Sequence, residues 1–148
     1  AKIADKIAEA RHSEPISTTG QLKNVLKSFA PRGRENKFYA QLFQALRIEV
    51  NDELASLKDL LSQSIEVLKP GGRLVVISYH SLEDRLVKNF LKSGNVEGKQ
   101  EKDFYGALLR PVRPLSKVIT PGEYEIKENP RARSAKLRIG EKTAQGQV

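Results

Sequence analysis

The chain contains no cysteine, no methionine and no tryptophan, and only two histidines in 148 residues. Without cysteine there can be no disulfide, thiolate metal site or thiol nucleophile, and two histidines are too few for an all-imidazole site. A reducing cytoplasm fits this composition. No apolar run approaches the ~20 residues that span a bilayer, and the N-terminal stretch lacks the apolar core of a signal peptide, so no membrane partner is expected. A sequence that starts at Ala1, lacks methionine and goes straight into helical spacing at Ile3, Ile7 and Ala10 reads as a piece of something longer.

What is present suits a folded domain. Hydrophobic residues make up 39% of the chain, enough for a core, and the formal charge of +8 makes a polyanion the leading partner class. The first helix is predicted to end near His12 to Glu14, because Pro15 disfavours helix at the residue before it. Thr18 and Gln21 have capping-box spacing ahead of an apolar face of Leu22, Val25, Leu26 and Phe29, which Pro31 closes. The loop from Pro31 to Lys37, with Arg32, Arg34 and Lys37 around Gly33, is a first candidate phosphate contact.

From Phe38 onward Leu42, Leu46, Val50, Leu54, Leu57, Leu61, Ile65 and Leu68 recur every three or four residues, giving one long amphipathic helix or two joined ones. Within it Asn51 is expected as a buried polar tie. Pro70-Gly71-Gly72 ends the pattern. Leu74 to Ile77 is continuously apolar and rich in β-branched residues, as in a strand covered on both faces in a parallel sheet. Ser81 is placed to cap the next helix, with Glu83 and Asp84 in its first turn. From Leu91 to Gly106 the chain is polar and glycine-bearing, predicting a weakly ordered loop. Pro111 and Pro114 interrupt Leu108 to Ile119, so a strand there is an edge or broken strand.

Thr120-Pro121-Gly122-Glu123 reads as a helix start and Asn129-Pro130 as its end. Ala135, Leu137 and Ile139 alternate with Lys136 and Arg138, predicting a strand with one solvated face, followed by a frayed tail from Glu141. The strand from Arg73 to Tyr79 then lacks an upstream neighbour. Its bare edge is expected to be covered by a second copy, giving a homodimer, or by a rearranged segment.

Three blocks, FQALRIEVNDEL, LKPGGRLVVISYHSLEDRLVK and NPRARSAKLR, stand in the order and spacing that resemble the bacterial 16S ribosomal RNA cytosine-N4 methyltransferases, the RsmH or MraW family. With the flanking helices the resemblance covers nearly the whole chain. It implies an enzyme that uses S-adenosylmethionine to methylate a decoding-region cytidine of 16S ribosomal RNA in the small ribosomal subunit. The implied fold is α/β, a class I, Rossmann-like methyltransferase sheet with an inserted helical domain. Residues 1–36 would belong to the insert, 37–140 to the C-terminal part of the catalytic domain, and 141–148 to a tail.

The same resemblance puts the family's cofactor loops upstream of Ala1, so no cofactor-binding residue is expected here and the chain alone should be inactive. Gly71 and Gly72 cannot replace them, because a nucleotide-binding glycine loop follows its strand and opens a helix. A cytosine amine is a poor nucleophile, so such an enzyme must chiefly align the nitrogen and give its proton a route away. Ser78, His80, Ser81 and Asp84, at the strand end, are the substrate-pocket candidates. Ser81 and Asp84 have a plain alternative as helix-capping groups, and His80 as a structural residue.

Arg110, Arg113, Arg131 and Arg133 join Arg32, Arg34 and Lys37 as candidate RNA contacts of the positioning kind. The alternative for these cations is solvation or pairing with the chain's carboxylates. Phe104, Tyr105 and Tyr39 are candidates for stacking on an unpaired base, Tyr39 having helical spacing that also suits a core. Two other classes remain beside the enzyme: a non-catalytic RNA-binding module and a self-associating interaction domain.

Overall fold

The computed structural model describes residues 2–144; the end of the expected tail, 145–148, lies outside the described residues. The chain divides into two compact units between Asn51 and Asp52. Residue 36, after which the boundary is expected, lies in the first turn of the helix Glu35–Val50.

The first unit holds α1 (Lys2–Ser13), α2 (Thr19–Val25), a single 3-10 turn (Lys27–Phe29) and α3 (Glu35–Val50). The capping box forms as expected: the Gln21 N–H donates to Thr18 Oγ1 at 3.1 Å, and the Thr18 N–H donates to Gln21 Oε1 at 3.0 Å. Such a cap contributes about 1 kcal/mol to a short helix. Leu22 and Leu26 are buried. Tyr39 sits against α2, its hydroxyl donating to the Lys23 carbonyl at 3.1 Å and its ring 5.0 Å below the Lys23 ammonium, so it serves packing. The apolar stripe breaks at Asn51 and Asp52. Asp52 adopts a left-handed conformation (φ 49°) and Asn51 caps α3 in an exposed position, not as a buried tie.

The second unit comprises α4 (Glu53–Val67), β1 (Arg73–Ser78), α5 (Ser81–Ser93), β2 (Val112–Pro114), α6 (Glu123–Glu128), a 3-10 turn (Pro130–Ser134) and β3 (Lys136–Lys142). The sheet order is β1-β3-β2 and both pairings are antiparallel. Leu61 of α4 packs with Val87, Phe90 and Leu91 of α5 and Val112 of β2, joined by Leu74 and Val76 of β1. Both helices therefore cover one face of the sheet.

The register overturns two expectations. Residues directly opposite in an antiparallel pair share a face. Val76 lies opposite Arg138 and Ser78 opposite Lys136, so the two cations of β3 lie on the face toward α5, where Arg138 is shielded and Lys136 stays partly exposed. Val75 and Ile77, opposite Ile139 and Leu137, point to the other face, where both β1 residues and Tyr79 remain more than half exposed. The strand is thus covered on one face only. Its second edge pairs with nothing among the described residues.

The tail starts later than expected. Lys142 ends β3 with its ammonium donating to the carbonyls of Ile65 and Leu68 at 2.6 and 2.7 Å, which satisfies the C-terminal turn of α4. Gly140 lies on the covered face beneath α5, and a Cβ there would strike Leu91 Cδ2 and come within 2.8 Å of Val112 Cγ2.

Between α5 and β2, where a weakly ordered loop is expected, the chain folds back on itself. Lys102 bridges Leu108, and Asp103 Oδ1 accepts the N–H groups of Tyr105 and Ala107 at 2.9 and 2.8 Å, closing a hairpin with Phe104 and Tyr105 at its tip. The broken strand is as expected: β2 is three residues long, and Ile119 forms only a bridge to Leu137. That bridge also explains why α6 starts at Glu123. It holds the chain extended into Thr120, so Gly122 takes the cap position.

Candidate functional site

The turn from β1 into α5 places all four pocket candidates within one short stretch. Glu83 fixes the turn, its Oε2 accepting the N–H groups of Tyr79 at 3.1 Å and His80 at 3.2 Å, two donors that the helix start would leave orphaned. His80, not Ser81, occupies the cap position, in extended conformation, and Ser81 is the first helical residue. Ser81 is exposed and His80 half-buried, whereas Ser78 is 4% exposed beneath α5.

Asp84 is buried one turn further along and is fully engaged. Its Oδ1 accepts Arg138 Nε at 2.6 Å, and Oδ2 accepts Arg138 Nη2 and Lys136 Nζ, each at 3.2 Å. Burial pushes the Asp84 carboxyl upward, but hydrogen bonds from Arg138 and Lys136, with their charges, outweigh it and hold the group below the ordinary carboxylate range. A carboxylate held below its ordinary range is a weaker proton acceptor than a free one. Its contacts tie the first turns of α5 to β3 close to the His80-Ser81 turn.

Sequence reasoning missed Arg138 and Lys136 as partners of this carboxylate. The available signal was two cations alternating on a strand that ends the domain, but their partner lies more than fifty residues upstream, and only the register brings it to the same face.

The seven candidate RNA contacts divide between the units. Arg32 and Arg34 are exposed on the turn before α3, and Lys37 is exposed in its first turn. Glu35 bends back over that turn, Oε1 accepting the Gly33 N–H at 3.0 Å. In the second unit Arg131 and Arg133 project from the 3-10 turn on either side of buried Ala132. Arg113 pairs with Glu141 at 2.8 Å, so its charge is partly spent. Arg110 donates to the Lys92 carbonyl at 3.3 Å, at the end of α5. Phe104 and Tyr105 meet edge to face at 5.5 Å and are 96% and 90% exposed, an arrangement open to a stacking base.

Among the described residues, the glycines around β1 are not placed to cradle S-adenosylmethionine. The β1-to-α5 turn contains no glycine. Gly71 and Gly72 precede β1 and are spent on the sheet: the Gly71 N–H donates to the Lys142 carbonyl at 2.9 Å, and the Lys142 N–H donates to the Gly72 carbonyl at 2.8 Å. A Cβ on Gly72 would come 2.8 Å from the Lys69 carbonyl, so this glycine lets backbone approach backbone, not ligand.

Residues 1–143 match the MraW methylase family, and the chain belongs to it. Among curated proteins it is similar to the ribosomal RNA small subunit methyltransferase H of Flavobacterium johnsoniae, at 58% identity over 140 residues, covering 95% of this chain and 46% of that protein. The protein of the same name from Parabacteroides distasonis is 57% identical over 142 residues, covering 95% and 47%. That of Amoebophilus asiaticus is 58% identical over 143 residues, covering 96% and 46%. The chain spans about half the length of the curated relatives it matches.

Proposed function

We propose that this chain is the C-terminal part of a cytoplasmic, S-adenosylmethionine-dependent methyltransferase that methylates N4 of a cytidine in the decoding region of 16S ribosomal RNA. The observation that carries the reading is 58% identity along 95% of the chain to a protein named ribosomal RNA small subunit methyltransferase H. The glycine-free β1-to-α5 turn and the glycines committed to the sheet support the further reading that the cofactor cradle belongs to residues outside this chain. The chain by itself is therefore inactive.

In this reading the chain supplies the substrate side. His80 and Ser81, accessible on a turn fixed by Glu83, are the groups that hydrogen-bond the cytosine amine and orient its nitrogen. The Asp84–Arg138–Lys136 cluster positions that turn without touching substrate, and Ser78 forms its buried floor. Arg32, Arg34, Lys37, Arg110, Arg131 and Arg133 contact phosphates, Arg113 contributing less because Glu141 offsets it. Phe104 and Tyr105 stack on an unpaired base.

The open edge of β1 and its apolar outer face of Val75, Ile77 and Tyr79 are the seat for the rest of a Rossmann-like sheet, in preference to a second copy of this chain. The single-face coverage of the sheet and the half-length match support this choice.

The test is a chimera in which this chain replaces the matching part of the Flavobacterium johnsoniae protein. Transfer of labelled methyl from S-adenosylmethionine to small ribosomal subunits by the chimera, and none by this chain alone, is the expected result. A chimera that folds and binds RNA but transfers no methyl group favours the non-catalytic binding module instead.

A further inference from the structure

The second unit carries a basic cleft of which the proposed RNA contacts above include only Arg110. It lies between α5 and the segment that leaves β2, holds about 390 Å³, and is lined by Lys88, Lys92, Arg110, Lys117 and Arg138, with Leu91, Pro114, Ser116, Val118 and Ile139 completing the wall. Five cations and no carboxylate face one cavity.

The charge is largely uncompensated. Arg138 is paired with Asp84, which it shares with Lys136. Lys88, Lys92 and Lys117 have no ion-pair partner among the described residues, and all three are exposed. Arg110 is half-buried and held by the Lys92 carbonyl, so its guanidinium is fixed at the cleft wall. Crowding like charges around one cavity costs free energy in the unbound protein, and a polyanion relieves that cost.

The spacing suits an extended chain of phosphates better than a single anion. Lys88 and Lys92 stand one helical turn apart on α5, about 6 Å along its axis, while Lys117 approaches from the opposite wall. The apolar parts of Leu91, Pro114, Val118 and Ile139 leave room for sugars between these charges. Arg110 also follows directly on the hairpin that displays Phe104 and Tyr105, whose last backbone bond runs from the Leu109 N–H to the Glu101 carbonyl at 2.9 Å. A positive groove with aromatic side chains is the general design for single-stranded nucleic acid.

We propose that this cleft seats the sugar-phosphate backbone of single-stranded RNA, with Lys88, Lys92, Lys117 and Arg110 as its phosphate contacts. The choice of RNA as the polyanion rests on the methyltransferase reading; the cleft and its charge do not. None of the three lysines is among the candidate contacts read from the sequence.

The experiment is fluorescence anisotropy of a labelled single-stranded segment of 16S ribosomal RNA with the full chain, titrated at several salt concentrations. The triple variant Lys88→Gln, Lys92→Gln, Lys117→Gln is compared with Arg32→Gln, Arg34→Gln, Lys37→Gln and with the triple lysine-to-arginine variant at 88, 92 and 117. Loss of three single-strand contacts lowers the slope of log K against log salt by about 2. The expected result is that loss in the cleft glutamine variant, a fall in affinity of tenfold or more at low salt, and retention in the arginine variant. An unchanged slope in the cleft glutamine variant, with the 32/34/37 variant weakened instead, overturns the cleft while leaving RNA binding intact. Absence of RNA binding by the unmodified chain overturns both. Equal loss in the arginine variant also overturns the proposal, since charge would then not be what the cleft supplies.

Discussion

Arg138 Nε lies 2.6 Å from Asp84 Oδ1, joining the central strand of the sheet to the first turns of α5 across 54 positions of sequence. Both side chains are shielded, 17% and 10% exposed, so removing one leaves the other charged and poorly solvated. Asp84→Ala is therefore expected to cost about 2–4 kcal/mol, somewhat below the roughly 3–5 kcal/mol for breaking a fully buried pair because the cations keep some exposure. Urea denaturation measures it.

The same pair predicts a pH dependence. The folded carboxyl titrates below the ordinary aspartate value, so its stabilising contribution is complete above about pH 4 and is lost as pH falls through the depressed folded value. Stability measured between pH 6 and pH 2 should fall less steeply in Asp84→Asn than in the unmodified chain. Equal slopes would mean that this carboxyl does not titrate differently in the two states.

Lys142 tests whether the chain end is a tail. Its two hydrogen bonds to the Ile65 and Leu68 carbonyls close α4, and charged hydrogen bonds of this kind are worth about 1.5–3 kcal/mol. Lys142→Met should destabilise by that order, with amide exchange faster in the last turn of α4. A frayed end would show neither effect.

Gly140→Ala should destabilise by about 1–3 kcal/mol through overpacking against Leu91 and Val112. Thermal unfolding measures the loss. Combining it with Leu91→Ala should recover part of it, which a purely conformational effect of glycine would not.

Much of the local structure was legible because its determinants are local. Thr18 and Gln21 announce the start of α2 three residues apart, Pro15 and Pro31 bound the first helices, and Pro111 and Pro114 limit β2 to a fragment of strand. What stayed hidden depends on register. The alternation of β3 could be read with either face inward; hydrophobicity favoured Leu137 and Ile139, and the structure instead turns Lys136 and Arg138 inward because Asp84 waits there. The partners of Asp84 stayed hidden for the same reason, since they are invisible to any window along the chain. The hairpin at Asp103 was missed because one carboxylate holding two backbone N–H groups leaves no hydrophobic pattern.

Calorimetric titration of S-adenosylmethionine onto the chain should show no binding in the micromolar range, because Gly71 and Gly72 are committed to pairing with Lys142 and no glycine opens α5. Micromolar binding would locate a cofactor site on this chain and reassign its residues.

The central claim is met most directly by nucleoside mass spectrometry of 16S ribosomal RNA after treatment with the chimera and S-adenosylmethionine. An N4-methylated cytidine in the decoding region, reduced at least about tenfold by His80→Ala as expected for loss of a group acting on the amine, is the predicted result. A methyl group on a different base, or full activity of the His80→Ala chimera, would contradict the roles assigned to this chain.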